Sequence, residues 1–587
     1  MSEQSVSGKA FDQGLLRRLL GYVKPYRLRF AGALGLTIFL AVLAPVRPWL
    51  VQMGLDQYVA FGDVAGLRTI VLSIFGILLM ESIIMYRNTY LTNWLGQSII
   101  RDIREQVFRH ILSLKLTYFD RTPIGTLQTR TINDVETLND VFTSGLVRIL
   151  GDLLQLTAIL VVMLWLNWKL TLVTLITLPL MIVSTIIFKN KVKVAFTTVR
   201  KAVSDMNAFL QEHITGMPIV HIFNREDEEA RRFDEVNNKY NDANIKSVLY
   251  YSIYFPVMEI IIALSIGLLV WYGAGNVLDG EVTAGQLVAF IMYTQMFFRP
   301  LRQLADQFNT LQLGMVSAER IFKILDTDEF IPNTGTETSF DESNQGVSIT
   351  FENVWFAYIK EDWVLKDVSF HLEPGDKLAL VGSTGSGKST IINLISRFYD
   401  IQKGRILING KDAKSYELDT LRALCGVVLQ DVFLFSGSVH DNITLNNDAL
   451  PREQVVTAAK QVGADAFINR LPDGYEYNVR ERGATLSLGQ RQLIAFARVM
   501  TYNPRVLVLD EATANIDTES EEVIQQAVDT VMAGRTSIII AHRLSTIQKA
   551  DKILVLSKGE IVETGNHEEL LEKQGAYFQL HQMQFAS

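Results

Sequence analysis

Up to about residue 310 the chain alternates long apolar runs with charged stretches, and beyond about residue 347 its apolar positions come in short, strand-length blocks. A run near twenty residues is the length that crosses a bilayer as a helix. Six such runs lie at about 30–51, 69–97, 145–166, 170–188, 250–273 and 285–298, the last with an apolar tail. Only Asn167, Trp168 and Lys169 join the third to the fourth, which predicts a tight hairpin. The segments 98–144 and 189–249 carry apolar residues at helical spacing among charges, so the spans should continue as helices well beyond the membrane. Residues 326–346 are polar and acidic with no apolar period and read as a linker. After them, Val/Ile/Leu strands alternate with helical patterns, the signature of an α/β domain on a largely parallel sheet. The expectation is a multidomain membrane protein: a six-helix transmembrane domain over 1–325, a linker over 326–346 and an α/β domain over 347–587.

Charge orients the spans. The N-terminal segment and the two long loops are rich in lysine and arginine, whereas the connections around 52–68, 167–169 and 274–284 are short and poor in them. The positive-inside bias then puts both termini, both long loops and the α/β domain in the cytoplasm, with the chain in the cell's inner (cytoplasmic) membrane. Composition agrees: 48% hydrophobic residues and a mean hydropathy of +0.18 suit a membrane part joined to a soluble one. The first 29 residues are polar and basic and lack the apolar core of a signal peptide, so the first span should persist in the mature protein. A net charge of −8 without a long basic run argues against nucleic acid, and the single Cys425 excludes an internal disulfide framework.

The chemistry sits in the second domain. The stretch Gly382-Ser383-Thr384-Gly385-Ser386-Gly387-Lys388-Ser389-Thr390 follows a strand and opens a helix, the context a phosphate-binding loop requires. Its backbone N–H groups can turn inward around phosphate oxygens, Lys388 can reach the β and γ phosphates, and Ser389 can hold Mg²⁺. Residues 505–511 form an apolar strand ending in Asp510 and Glu511, where a parallel sheet presents its ligand-binding edge. Asp510 suits Mg²⁺, and Glu511 suits a general base acting on water. His542 ends another apolar strand, and Gln430 follows a third. Both could reach the γ-phosphate region or Mg²⁺, and both could equally be structural. Tyr358 offers a ring on which adenine could stack, or a packing residue.

Phosphate loop, Gln430, the stretch Leu486-Ser487-Leu488-Gly489-Gln490, the 505–511 strand and His542, in that order behind six spans, resemble the ATP-binding cassette (ABC) transporters. The likeness is to the exporter-type half-transporter, with membrane and nucleotide-binding domains fused in one chain. It implies an ATPase using ATP and Mg²⁺, with catalytic Glu511, His542 and Gln430 and with Mg²⁺ at Ser389, Gln430 and Asp510. It implies that Tyr358 stacks on adenine and that Asp517 lies in a loop crossing the dimer. It further implies that residues 486–490 act in trans, on ATP held by a second half-transporter. Short coupling helices are implied within residues 118–135 and 212–226. Two positions depart from the family's common pattern: Leu488 stands where glycine is usual, and Ala514-Asn515-Ile516-Asp517 stands where Ser-Ala-Leu-Asp is common. Both fit a heterodimer, while intact Glu511 and His542 favour a homodimer.

The resemblance implies ATP-driven export of amphipathic, multidrug-like compounds by alternating access. A lipid flippase of the same fold is the near alternative, and an ATP-gated channel or regulatory ABC protein the distant one. Charges inside spans are costly and tend to face a cavity. Glu81 and Glu259 are therefore candidates for the substrate cavity or for helix–helix pairing, and Met292, Met296 and Phe297 are candidates for an adaptable apolar wall or for packing.

Overall fold

The computed structural model describes residues 13–340, 346–510, 518–540 and 544–585. They divide into two compact units. The first comprises the chain up to Leu112 together with Ile124–Thr327, and the second Ser113–Pro123 with Asp328 onward.

The first unit is helical. A short amphipathic helix, α1 (Gln13–Gly21), precedes α2 (Lys24–Val59), α3 (Val64–Ser113), α5 (Ile124–Leu166), α6 (Trp168–Thr215), α7 (Met217–Ile222), α8 (Glu226–Leu278) and α9 (Ala284–Leu325); α4 (Leu116–Arg121) belongs to the second unit. Five of these, α2, α3, α5, α6 and α8, are long and apolar enough to cross a membrane. The sixth run lies in α9, whose length is ample but whose apolar stretch is diluted by Gln286, Gln295 and Arg299. As expected, the helices far outrun a bilayer: α3 has 50 residues and α8 has 53, against roughly 20 for a simple crossing.

Local chemistry explains the breaks. Asn167 ends the third span and caps α6, its side chain accepting from Lys169 N and Leu170 N. The helix α2 turns at Ala44-Pro45, and the buried Tyr293 of α9 donates its hydroxyl to the Pro45 carbonyl at 2.7 Å. Asp56 accepts from Thr283 Oγ1 and Gly285 N, fastening the end of α2 to the start of α9. Four acidic residues, Glu226 to Glu229, open α8, where the helix dipole favours them. The helical core gathers Ile159, Met163, Met258, Phe290, Tyr293 and Phe298.

In the second unit two sheets share the work. An antiparallel sheet has the order β2-β1-β4-β5, from β1 (Ile349–Phe356), β2 (Leu365–Leu372), β4 (Lys403–Ile408) and β5 (Lys411–Asp412). The larger sheet has the order β10-β9-β3-β8-β7-β6. Here β3 (Lys377–Gly382), β6 (Cys425–Val428), β7 (Val506–Asp510), β8 (Thr536–Ile540) and β9 (Lys552–Ser557) run parallel, and β10 (Glu560–Gly565) is the antiparallel edge. β3, β7 and β8 are buried along nearly their whole lengths, the continuous apolar pattern that a sheet covered on both faces demands. Thr536, fully buried, links strand ends: its hydroxyl accepts from Val347 N and Gly375 N and donates to Val347 O at 2.8 Å.

The described part of the segment read as a linker, from Asp328 to Phe340, belongs to this unit. Arg397 donates to the Pro332 carbonyl, Leu418 N to Asn333, and Phe340 stacks on Tyr416 at 4.5 Å.

Candidate functional site

Parallel strands bring the phosphate loop, Asp510 and the start of the Gln430 segment to one edge. Register pairs Leu380 of β3 with Ile540 of β8, and Ile540 with Asp510 of β7, while Val428 of β6 pairs with Leu509. The phosphate loop therefore leaves the sheet two residues after Leu380, one strand removed from Asp510. Gln430, exposed, follows the end of β6 on the far side of β7. Glu511, Asp517 and His542, predicted to complete this edge, lie outside the described residues.

The loop is shaped by glycine where nothing else fits. Gly387 has φ +104°, and a Cβ there would meet Leu365 Cδ2 at 2.6 Å. Gly382 would place a Cβ 2.3 Å from the Leu556 carbonyl oxygen. Helix α10 (Lys388–Ile395) starts directly behind, so its unpaired N–H groups face the loop. Ser383, Thr384, Gly385 and Ser389 are exposed around the loop. Lys388 folds back to donate to the carbonyls of Gly382 at 2.8 Å and Ser383 at 3.0 Å. Burial holds its ammonium below the usual lysine range, with the Asp510 carboxylate pulling the other way. A polyanion arriving in the loop would give this half-desolvated cation a stronger partner than two carbonyls.

Two observations fit a nucleotide phosphate. Ser386 Oγ is buried in the loop's interior without a hydrogen-bond partner among the described residues. The fold also supplies a helix N-terminus, a lysine and a carboxylate at one edge. Ser389, Asp510 and Gln430 offer a hydroxyl, a carboxylate and an amide oxygen, the hard oxygen donors that Mg²⁺ takes.

Tyr358 stands in an aromatic cluster, edge-on to Phe356 at 4.8 Å and to Tyr399 at 5.1 Å. Its hydroxyl shares a 3.2 Å hydrogen bond with that of Thr390, which is buried in α10. Helix α4 packs against the same cluster: Tyr399 donates to Asp120 at 2.8 Å, and Arg121 donates to the Tyr358 carbonyl at 3.2 Å. Burial, reinforced by the bond to Asp120, pushes the Tyr399 phenol well above its usual range. Short helices stand in both long loops between the spans, α4 in the first and α7 in the second.

The stretch 486–490 opens helix α11 (Leu488–Tyr502). Leu486 is buried, Leu488 is half-buried, and Gly489 is buried in the helix's first turn. Ser487 is the N-cap in a full capping box: its hydroxyl accepts from Gln490 N at 3.2 Å, and Gln490 Oε1 accepts from Ser487 N at 3.0 Å. Gln490 thus has a local structural job, which the Ser-x-x-Gln spacing signals in the sequence. The hydroxyl proton of Ser487 remains available on an exposed residue. Arg491, not singled out from sequence, donates to the Gly483 and Leu486 carbonyls and holds the preceding loop.

Of the cavity candidates, Phe297 is buried in the helical core against Phe298, and Met296 packs partly against that core. Met292 and Glu81 are half-buried, and Glu259 is exposed. The structure does not bring these five together at one described cavity.

A helical membrane unit fused to a phosphate-loop α/β unit with an N-capped glycine-containing helix defines the class: this chain belongs to the ATP-binding cassette transporters, of the exporter type. The model of the ABC transporter transmembrane region matches residues 30–301, and the ABC transporter model matches 365–514. The particular relatives cover from 89% to 100% of this chain. An uncharacterized ABC transporter ATP-binding protein of Bacillus subtilis, YknV, is 38% identical over 100% of this chain and 97% of its own length. The ATP-dependent lipid A-core flippase of Syntrophus aciditrophicus is 34% identical over 97% of this chain and 94% of its own. The probable multidrug resistance transporter YheH of B. subtilis is 38% identical, covering 89% of this chain and 77% of its own. A solved structure of a bacterial Atm1-family ABC exporter with ATP bound superposes with a TM-score of 0.78 at 29% identity, covering 98% of this chain and 100% of that one. The chain is an ABC-type ATPase coupled to transmembrane transport.

Proposed function

We propose that this chain is a half-transporter that pairs with a second copy and exports amphipathic, multidrug-like compounds across the cytoplasmic membrane, with its α/β unit in the cytoplasm. The observation that carries the reading is the fusion of a membrane unit with one phosphate loop and one capped signature helix per chain. A single chain has one of each, and the exposed Ser487 hydroxyl contacts no phosphate-loop residue of its own chain among the described residues. Two chains arranged head to tail supply each loop with the partner subunit's signature helix, where the serine hydroxyl can donate to the γ-phosphate and the helix N-terminus adds positive potential.

Within each site Lys388 binds the β and γ phosphates, the loop N–H groups orient them, and Tyr358 abuts the adenine. Mg²⁺, held by Ser389, Gln430 and Asp510, would supply charge neutralisation on the phosphates. Glu511 takes a proton from the attacking water, and His542 holds the γ-phosphate end. ATP binding draws the two chains together and, through α4 and α7, turns an inward-facing cavity outward; hydrolysis resets it.

Lipid export is the second reading, favoured by the 34% identity to a lipid A-core flippase. The test is the ATPase activity of the purified chain in nanodiscs against a drug panel, lipid A and phospholipids, with dimer mass measured alongside. Drug stimulation of a homodimer supports the first reading and lipid A stimulation the second. Glu511→Gln should bind ATP, accumulate closed dimers and lose turnover by roughly a hundredfold or more; normal turnover removes Glu511 from its role.

A further inference from the structure

Two hairpin turns of the membrane unit line a small, open-sided cavity that export chemistry does not use. It has a volume of about 260 Å³, and its lining includes Trp165, Asn167, Trp168 and Lys169 at the α5–α6 turn and Tyr272, Asn276 and Glu281 at the α8–α9 turn. The two turns are tied by Gln286, which donates to the Leu166 carbonyl at 2.9 Å. Both connections are poor in lysine and arginine, which assigns them to the outer face.

Chemistry around the cavity is unusual for a mere turn. Trp165, Trp168 and, one residue beyond the lining, Trp271 are 76%, 59% and 80% exposed. Exposed indoles at the ends of apolar runs sit at the headgroup level of a bilayer. Between them Lys169 and Glu281 form an ion pair at 3.2 Å, with side chains 48% and 58% exposed. Such an exposed pair is weak and opens at little cost. The cavity falls below the roughly 300–1,000 Å³ that takes a whole drug-sized molecule, yet it has room for a polar headgroup.

We propose that this cavity binds the headgroup of an ethanolamine phospholipid from the outer leaflet. Lys169 takes the phosphate, while Glu281 and the indole faces take the ammonium. A headgroup with phosphate but no ammonium would satisfy Lys169 alone and meet the Glu281 carboxylate unfavourably. The acyl chains lie along the exposed apolar flank that Leu164 and Trp165 begin.

The test is native mass spectrometry of the full-length chain in detergent with an equimolar mixture of dioleoyl phosphatidylethanolamine and dioleoyl phosphatidylglycerol. The wild type should retain the ethanolamine lipid about five-fold over the glycerol lipid, as one opened surface pair and one cation–π contact allow. Glu281→Gln should bring that ratio close to unity, and Lys169→Gln should lower retention of both lipids. Trp165→Leu, which leaves both charges in place, should reduce the ethanolamine preference should the charge variants misfold. Equal retention of the two lipids by the wild type overturns the proposal. So does an unchanged preference in folded Glu281→Gln, or displacement of the bound lipid by a transported compound at its stimulating concentration.

Discussion

Ser487 has two jobs that one substitution can separate. In the structure its side-chain oxygen accepts from Gln490 N and caps α11; in the proposed dimer its proton goes to a phosphate oxygen on the partner chain. Ser487→Asp keeps the acceptor, because aspartate caps a helix as well as serine does, whereas Ser487→Ala loses about 1 kcal/mol of capping. For phosphate the order inverts. Alanine forfeits one hydrogen bond to a charged group, about 1.5–3 kcal/mol. Aspartate sets a carboxylate against the γ-phosphate, and at about 4 Å with an effective dielectric near 20 the repulsion is about 4 kcal/mol, or roughly a thousandfold in rate. ATPase activity in nanodiscs should therefore fall in the order wild type, alanine, aspartate, while thermal stability should rank wild type and aspartate together above alanine. Nucleotide binding to the phosphate loop should hold in all three. Aspartate turning over within a few-fold of wild type would refute the trans-phosphate assignment, and aspartate melting as low as alanine would refute the capping argument.

Thr536→Val should destabilise the second unit by about 3 kcal/mol, since Val347 N–H and C=O lose their shared buried partner; Thr536→Ser should recover most of it, as read by thermal melting. His213 is flanked by two acceptors, the Phe209 carbonyl and the Glu229 carboxylate, both at 2.8 Å, and the first of these chiefly raises its pKa. Its stabilising contribution is then fully present below the usual imidazole range and is lost as pH rises through the raised folded value. The melting-temperature difference between wild type and His213→Gln should be largest below the usual imidazole range and fade as pH rises above it through the raised value.

The membrane runs and the phosphate loop are legible because each depends on a short-range rule: twenty apolar residues must be helical in lipid, and glycines must sit where the loop needs a positive φ or leaves no room for a Cβ. Other features depend on partners distant in sequence. Nothing around Thr536 announces a link to Val347, and nothing in the acidic stretch after Asp326 announces that it docks along the second unit. Helix α1 is an intermediate case. Leu15, Leu16, Leu19 and Leu20 fall at helical spacing, but basic neighbours mask them, and the fully buried Leu19 and the Arg18–Asp326 pair at 2.7 Å declare the helix. The capping box is legible in the sequence as the Ser487-x-x-Gln490 spacing.

Helix α4 carries a practical consequence. It lies between two membrane spans in sequence yet folds with the nucleotide-binding unit, where Lys115 N bonds the Glu329 carbonyl at 2.9 Å beside the Asp120 and Arg121 contacts. A gene cut at the linker would therefore yield a soluble fragment missing part of its own fold, with the Tyr399 hydroxyl and the Tyr358 carbonyl stripped of their protein partners. Nucleotide affinities measured on such an excised fragment would describe an incomplete pocket, and a faithful soluble version would need residues 113–123 grafted back.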